Sequence, residues 1–164
     1  MKILVVSDTH GDVELLYDIV SKHRLGTDLV IHLGDNFPDA ESVMRDFPTI
    51  AFLGTIGNCD FPFMCSNAKY EGSFGVEGKR IFYTHGHKYN VKYGLDYLVS
   101  NAKFKGCDIA LYGHSHVSFA EEVNGVLVIN PGSLSRPRDN TNGTYCLLEI
   151  NDKNVEYKIL EVSK

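Results

Sequence analysis

Short apolar runs alternate with helix-patterned stretches over the first third of the chain. Ile3–Val6 is four apolar residues cut off by Ser7 and Asp8, a length and composition that predict a buried strand. Asp12 stands as a cap ahead of Val13, Leu16, Ile19 and Val20, whose spacing puts them on one face of a helix. Leu29–Leu33 predicts a second strand. Pro38 suits the first turn of a helix running through Ala40, Val43 and Met44, and Ile50–Leu53 predicts a third strand. The order β-α-β-α-β implies parallel pairing through right-handed crossovers.

Beyond this point the pattern changes. Lys69–Gly75 and Arg80–Thr84 predict a hairpin turning at Val76–Lys79. Leu95–Lys103 predicts a helix closed by Gly106, and Ile109–Tyr112 another strand. Asn124-Gly125 between two apolar runs is a type I′ hairpin signal, and a last hairpin turns near Asp152-Lys153. Tyr89, Tyr93 and Tyr97 lie four apart, as on a packed helical face. A parallel half and a hairpin-rich half bury each other best as two sheets face to face with helices outside. No repeat or linker divides residues 1–164, so the expectation is a single domain.

The balance of 16 Lys and Arg against 21 Asp and Glu gives a net charge of −5. Non-specific binding of nucleic acid needs cations to neutralise phosphates, so that role is disfavoured. Metal ions can still recruit a phosphate ester. Ile3–Val6 is too short for a secretory signal core and no run reaches membrane-spanning length. The four cysteines (Cys59, Cys65, Cys107, Cys146) form no C-x-x-C pair, and read as reduced thiols in a cytoplasmic protein; a Cys59–Cys65 bridge is disfavoured.

The chemistry gathers where strands end. "SDTHGD" follows the first, "LGDN" the second and "GNCD" the third; later strands lead into "THGH", "YGHSH" and "NPGS". In open α/β sheets such carboxyl ends are where functional side chains meet. Asp8 and His10 are two apart, as are His114 and His116. Carboxylate oxygen with imidazole nitrogen suits Mn²⁺, Ni²⁺, Fe, Co²⁺ or Zn²⁺ better than an all-oxygen set would, and Mg²⁺ less well. The ligands are too many for one ion. Two ions about 3.5–4 Å apart, sharing a carboxylate, would use them all.

Asp8-x-His10, Gly34-Asp35, Gly57-Asn58, His85-Gly86 and Gly113-His114-x-His116, in that order, resemble the calcineurin-like metallophosphoesterases over residues 3–138. The short chain, "GNCD" and "NPGSLSRPR" resemble the YfcE-type phosphodiesterases in particular. The resemblance implies a four-layer α/β/β/α sandwich of two mixed sheets flanked by helices. It implies a first ion on Asp8, His10 and His116, a second on Asn58, His85 and His114, and Asp35 bridging them, with Mn²⁺ or Ni²⁺ as the expected metals. It implies hydrolysis of a small phosphodiester by in-line attack of a hydroxide held between the ions. The runner-up readings are a phosphomonoesterase and a non-catalytic interaction module, a use to which a retromer subunit puts this fold. Homo-oligomerisation stays open.

Many relatives carry histidine after the ligand asparagine, as a proton donor to the leaving oxygen. Cys59 stands there instead. Cys59, Asp60 and His87 are the candidates for that proton, and the remaining alternative is that no side chain supplies it. His32, mid-strand, reads as a core or supporting residue and His23 as a surface residue. Asn130, Ser133, Arg136 and Arg138 read as loop residues, with Arg136 also a candidate clamp on a phosphate oxygen. "FPFMC" after Asp60 reads as an exposed rim, a contact or a loop plug.

Overall fold

A computed structural model of the chain describes residues 1–163. The elements run β1 (Lys2–Val6), α1 (Val13–His23), β2 (Leu29–His32), α2 (Phe37–Val43), β3 (Ala51–Thr55), β4 (Ala68–Lys69), β5 (Glu71–Val76), β6 (Lys79–Thr84), α3 (Asp96–Phe104), β7 (Ile109–Leu111), β8 (Ser118–Val123), β9 (Val126–Pro131), β10 (Thr144–Asn151) and β11 (Asn154–Glu161). One sheet has the order β11-β10-β1-β2-β3-β4 and the other β5-β6-β7-β9-β8. β1, β2 and β3 pair in parallel, as the β-α-β-α-β order requires.

Residues along β1 alternate between two cores, which is why the run is continuously apolar. Leu4 and Val6 face α1 and α2, packing with Leu16, Val20, Phe37 and Ala40. Ile3 and Val5 face the second sheet, with Ile31, Leu33, Ile81, Ile109, Leu111 and Ile129. A third cluster joins Phe82, Ala110 and Val128 to Leu98, Val99 and Ala102 of α3. The layers are therefore helices, sheet, sheet, helix: the α/β/β/α sandwich. Asp12 caps α1 by accepting from the Leu15 N–H at 3.1 Å. Among the described residues no helix is long and apolar enough to cross a membrane.

Three local readings change. Lys69 belongs to the first sheet, paired beside β3 (Thr55↔Lys69), and the hairpin begins at Glu71. The chain crosses between sheets at Tyr70, so one apolar stretch serves both. The three tyrosines do not share a helix: Tyr89 sits in a 3₁₀ turn, Asn90 turns left-handed (φ 53°), and α3 starts only at Asp96. Tyr89 is buried with its ring 5.2 Å from that of Tyr97, while Tyr93 is exposed. His23 is half-buried rather than on the surface, its Nε2 3.0 Å from the Tyr145 hydroxyl. The two later hairpin turns stand as expected, with Asn124 and Gly125 at φ 50° and 79° and Asp152 and Lys153 at 47° and 70°.

Gly54 on β3 lies against the ring of Phe37 at the start of α2, and a Cβ there would overlap the ring itself. Gly54→Ala is expected to cost about 1–3 kcal/mol in denaturant unfolding, as overpacking does. Phe37→Leu in the same chain should recover part of that loss. Strictly additive losses in the double variant would show that the close approach is not what selects glycine.

Candidate metal centre

The loops following β1, β2, β3, β6, β7 and β9 meet along one edge of the sandwich. Five of the seven candidate ligands adopt left-handed backbone there: Asp8 (φ 56°), His10 (47°), Asp35 (58°), His114 (67°) and His116 (61°). For residues with a Cβ this conformation costs roughly 1–2 kcal/mol each. Its concentration on these residues marks a site held by something other than local preference.

Asp8, His10, Asp35 and His116 each bring a ligand atom within 4.8 Å of the others. The His116 Nδ1 donates to the Arg136 carbonyl at 2.7 Å, so a neutral ring turns the lone pair of Nε2 inward. That Nε2 lies 3.1 Å from Asp8 Oδ1 and 3.2 Å from His10 Nε2. Asp8 Oδ2 accepts from the Ser7 hydroxyl and from His114 N–H, but the buried Oδ1 has no hydrogen bond of acceptable geometry. A second group shows the same pattern. His85 Nδ1 donates to the Leu33 carbonyl at 2.6 Å, leaving Nε2 3.2 Å from Asn58 Oδ1 and 3.4 Å from Asp35 Oδ1. The His114 ring lies 5.0 Å from that of His85. Asp35 faces both groups, with Oδ2 3.9 Å from His10 Nε2. Electron-pair donors face one another in both groups with too few protons between them. Divalent cations fit that donor set.

The titration behaviour follows. Burial, then the neighbouring His85 and Lys92, hold His114 down at about 4. Burial also keeps His10 below its ordinary value, against the pull of Asp35. Burial pulls His116 down too, but the facing Asp8 carboxylate outweighs it and leaves it raised. A proton on His116 and a metal ion are alternative ways of answering Asp8. Partial desolvation at the cleft mouth, then Asp35, push the Cys59 thiol up to about 11.

The three candidate proton donors are placed very differently. Asp60 accepts four backbone N–H groups: Asp35 at 3.0 Å, Asn36 at 2.8 Å, Phe37 at 2.9 Å and Gly57 at 2.7 Å. Both its oxygens are fully engaged in joining the loop after β2 to the loop after β3. Cys59 is exposed at the mouth, its N–H on Asp35 Oδ1 at 2.9 Å and its sulfur 3.3 Å from Asn58 Nδ2. That last contact aims the Asn58 oxygen at His85. His87 is half-buried, its ring 5.3 Å from His85 and 6.2 Å from His114. Gly57 has no room for a side chain, because a Cβ would run into Asp35.

Residues read as loop or core prove to be braces. Asn130 is fully buried, donating to the Gly113 carbonyl and the Ser115 hydroxyl. Ser133 donates to the Asp8 carbonyl at 2.8 Å. His32 Nδ1 accepts Gly34 N–H, so its Nε2 donates to Thr9 Oγ1 at 3.0 Å, and Thr9 donates to Asp39 Oδ2 at 2.6 Å. Asp39 also accepts from Gly11 N–H and Asn36 Nδ2. Asp39 went unnoticed in the sequence because an acidic residue early in a helix looks like surface. Lys92 went unnoticed because it stands in no motif, yet it lines the same cleft as His10, Asp35, Asn58 and His114. Phe61, Phe63 and Met64 are exposed, and all four cysteines are free.

Comparison with known proteins gives this edge a family. YsnB, a probable metallophosphoesterase of Bacillus subtilis, is 34% identical over 150 residues, covering 92% of this chain and 85% of that protein. Phosphodiesterase MJ0936 of Methanocaldococcus jannaschii is 30% identical over 148 residues, covering 80% and 83%. Among solved structures, a predicted phosphoesterase from Streptococcus pneumoniae aligns with TM-score 0.82 and 28% identity over 98% of this chain and 88% of that one. Vps29 from Entamoeba histolytica, in a structure complexed with Zn²⁺, aligns with TM-score 0.75 over 98% and 99%; at 19% identity that likeness is of fold alone. The family model of the calcineurin-like phosphoesterase superfamily domain matches residues 1–153, a span that takes in every loop just described, and the chain belongs to that superfamily.

Proposed function

We propose that the protein is a metal-dependent phosphodiesterase of the cytoplasm acting on a small diester, with two divalent transition-metal ions, Mn²⁺ or Ni²⁺ foremost. Asp8, His10 and His116 hold one ion, Asn58, His85 and His114 the other, and Asp35 serves both. The observation that carries this reading is the pair of inward-facing donor groups on either side of Asp35, with Asp8 Oδ1 buried and unanswered. Ions bound there supply an acidified water and positive charge for the phosphoryl oxygens. The chain's own part is to fix the donors. Leu33 and Arg136 carbonyls set the tautomers of His85 and His116, and Asp60 fixes the backbone on both sides of Asp35 and Asn58. No histidine follows Asn58 in the chain, where Cys59 stands instead, so turnover favours leaving groups that depart without a proton.

The alternative role as a non-catalytic binding module expects eroded ligand positions, and all seven are filled here. Metal binding does not separate the two readings, since Vps29 was solved with Zn²⁺; turnover does.

Metal-loaded protein is expected to carry two ions per chain by elemental analysis and to hydrolyse bis(p-nitrophenyl) phosphate. Chelation should abolish that activity, and Mn²⁺ or Ni²⁺ should restore it better than Mg²⁺. Asp35→Asn should lower the rate at least about a hundredfold, the scale of losing one electrostatic stabiliser. Saturation at one ion, or wild-type turnover in Asp35→Asn, sinks the two-ion assignment.

Cys59→Ser should leave nitrophenyl diester hydrolysis largely intact, while Cys59→His should speed alkyl esters more than nitrophenyl ones. A dead Cys59→Ser protein that still holds its metals would point to a catalytic thiol instead.

Asp60→Asn leaves one amide oxygen for four N–H donors. The expected loss is about 2–5 kcal/mol of stability, from about 1–3 kcal/mol per unsatisfied buried group, together with weakened metal binding. An Asp60→Asn protein of normal stability and metal content, slow only toward poor leaving groups, would make Asp60 the proton donor after all.

A further inference from the structure

The cleft over the metal-binding residues has a volume of about 470 Å³, and its wall holds three cations: Lys92, Arg136 and Arg138. They come from two parts of the chain. Lys92 lies in the connection from β6 to α3 and lines the cleft together with His114. The arginines flank Pro137 on the loop after β9, beside His116. That loop is pinned at successive points. Arg136 N–H donates to the Ser133 hydroxyl at 2.9 Å, the Arg136 carbonyl accepts from His116 Nδ1 at 2.7 Å, and Arg138 N–H donates to the His116 carbonyl at 2.9 Å. The backbone of both arginines is therefore tied to a metal ligand, while their side chains are exposed.

Among the described residues, none of the three cations makes an ion pair within 4.0 Å. Asp139, next to Arg138, is turned away to Ser118 and Thr141. Arg136 also borders a neighbouring recess lined by Asp12 and Glu14, with an ion pair to neither. Lys92 and Arg138 have no such neighbour in the cleft, whose acidic lining is Asp35 alone. An acidic chain, at net charge −5, has gathered three unpaired cations around one opening.

Charge balance gives this meaning. Two divalent ions against Asp8, Asp35 and the hydroxide nucleophile leave a net of about +1, which the single negative charge of a simple diester answers. The cations on the wall are then an excess that such a substrate does not answer. We infer that Lys92 and Arg138, with Arg136 beside them, form an anion subsite next to the metal centre that takes a second phosphate group of the substrate. The substrate class is then a phosphodiester bearing a further phosphate, rather than a plain dialkyl or aryl diester. This rests on the proposed metal-dependent diesterase; the phosphate at the subsite is bound and not cleaved.

Binding tests it without requiring turnover. Thymidine 5′-monophosphate and thymidine 3′,5′-bisphosphate differ by one phosphate, and the nucleoside is only a carrier. Titration calorimetry on the Mn²⁺-loaded protein is expected to show the bisphosphate bound at least about tenfold more tightly, as one charge-assisted contact of about 1.5 kcal/mol would give. Lys92→Gln with Arg138→Gln, checked for unchanged metal content, should shrink that gap to about twofold or less. Lys103→Gln, a lysine away from the cleft, should leave the gap as it is. Equal affinity for the two nucleotides in the wild type overturns the subsite, as does a gap that survives the double substitution. A gap closed equally by Lys103→Gln reduces the effect to overall charge and also overturns it. Hydrolysis of bis(p-nitrophenyl) phosphate, measured separately, judges the diesterase reading. A protein that shows the binding gap and no hydrolysis keeps the anion subsite and loses the enzyme.

Discussion

One carboxylate holds the centre in shape. Asp60 draws the N–H groups of Asp35, Asn36 and Phe37 from one loop and of Gly57 from another onto its two oxygens. Backbone N–H groups at the edge of a sheet would otherwise turn to water, and the loops would part. With them gathered, Asp35 and Asn58 are fixed relative to each other before any ion arrives. The absence of a side chain at Gly57 is part of the same arrangement, because the Asp35 carboxylate occupies the space a Cβ would need. Hydrogen bonds to a carboxylate are roughly twice as strong as the same number of neutral ones. That strength offsets the left-handed backbone at Asp35 and Asn36.

The sandwich beneath supplies what the loops cannot. β1 and β2 are buried on both faces, and their register (Val6↔His32) brings Ser7 and Leu33 level at the edge. Asp8 N–H then reaches the Gly34 carbonyl at 3.0 Å and His10 N–H the Asp35 carbonyl at 3.3 Å. The His32–Thr9–Asp39 chain ties the same two loops from below, with His32 kept neutral by burial at about 4. A neutral ring that accepts from one loop and donates to the other is a rigid spacer. Strained ligand residues are therefore mounted on the part of the molecule least able to relax.

Much of this was legible in the residues. Continuous apolar runs such as Ile3–Val6 read as strands because both faces are buried, and Asp or His beside glycine at strand ends marked the edge where ligands gather. The limits of the reading are physical as well. Lys69 and Glu71 lie on either side of a sheet-to-sheet crossing that apolar periodicity does not register. Spacing alone put Tyr89, Tyr93 and Tyr97 on one helix, but left-handed Asn90 and Gly94 break the chain between them. Asp60 looked like a free acid because a sequence shows which groups can accept hydrogen bonds and not which donors are aimed at them. Asp39 acts through Thr9 and Gly11, and Lys92 lines a cleft with residues far away in sequence, and no local pattern announces either role.

The cleft and its missing histidine bear on each other. A proton donor following Asn58 in the chain would make poor leaving groups accessible, and Cys59 is a thiol that partial desolvation, then Asp35 and Asp60, hold against giving up its proton. A site without a strong acid can still be selective by binding. Cations on the wall stabilise substrate charge throughout the reaction, so they act mainly on affinity rather than on the chemical step. The proposed metal ligands and the cationic wall would thus divide the work, and His116, whose backbone and ring both hold the arginine loop, joins the two parts. A shift of that loop would disturb metal ligation and anion binding together. The close tie between them is a reason for the fully buried Asn130 and Ser133 beneath it, which brace the backbone at Gly113 and Asp8 rather than meeting any ligand themselves.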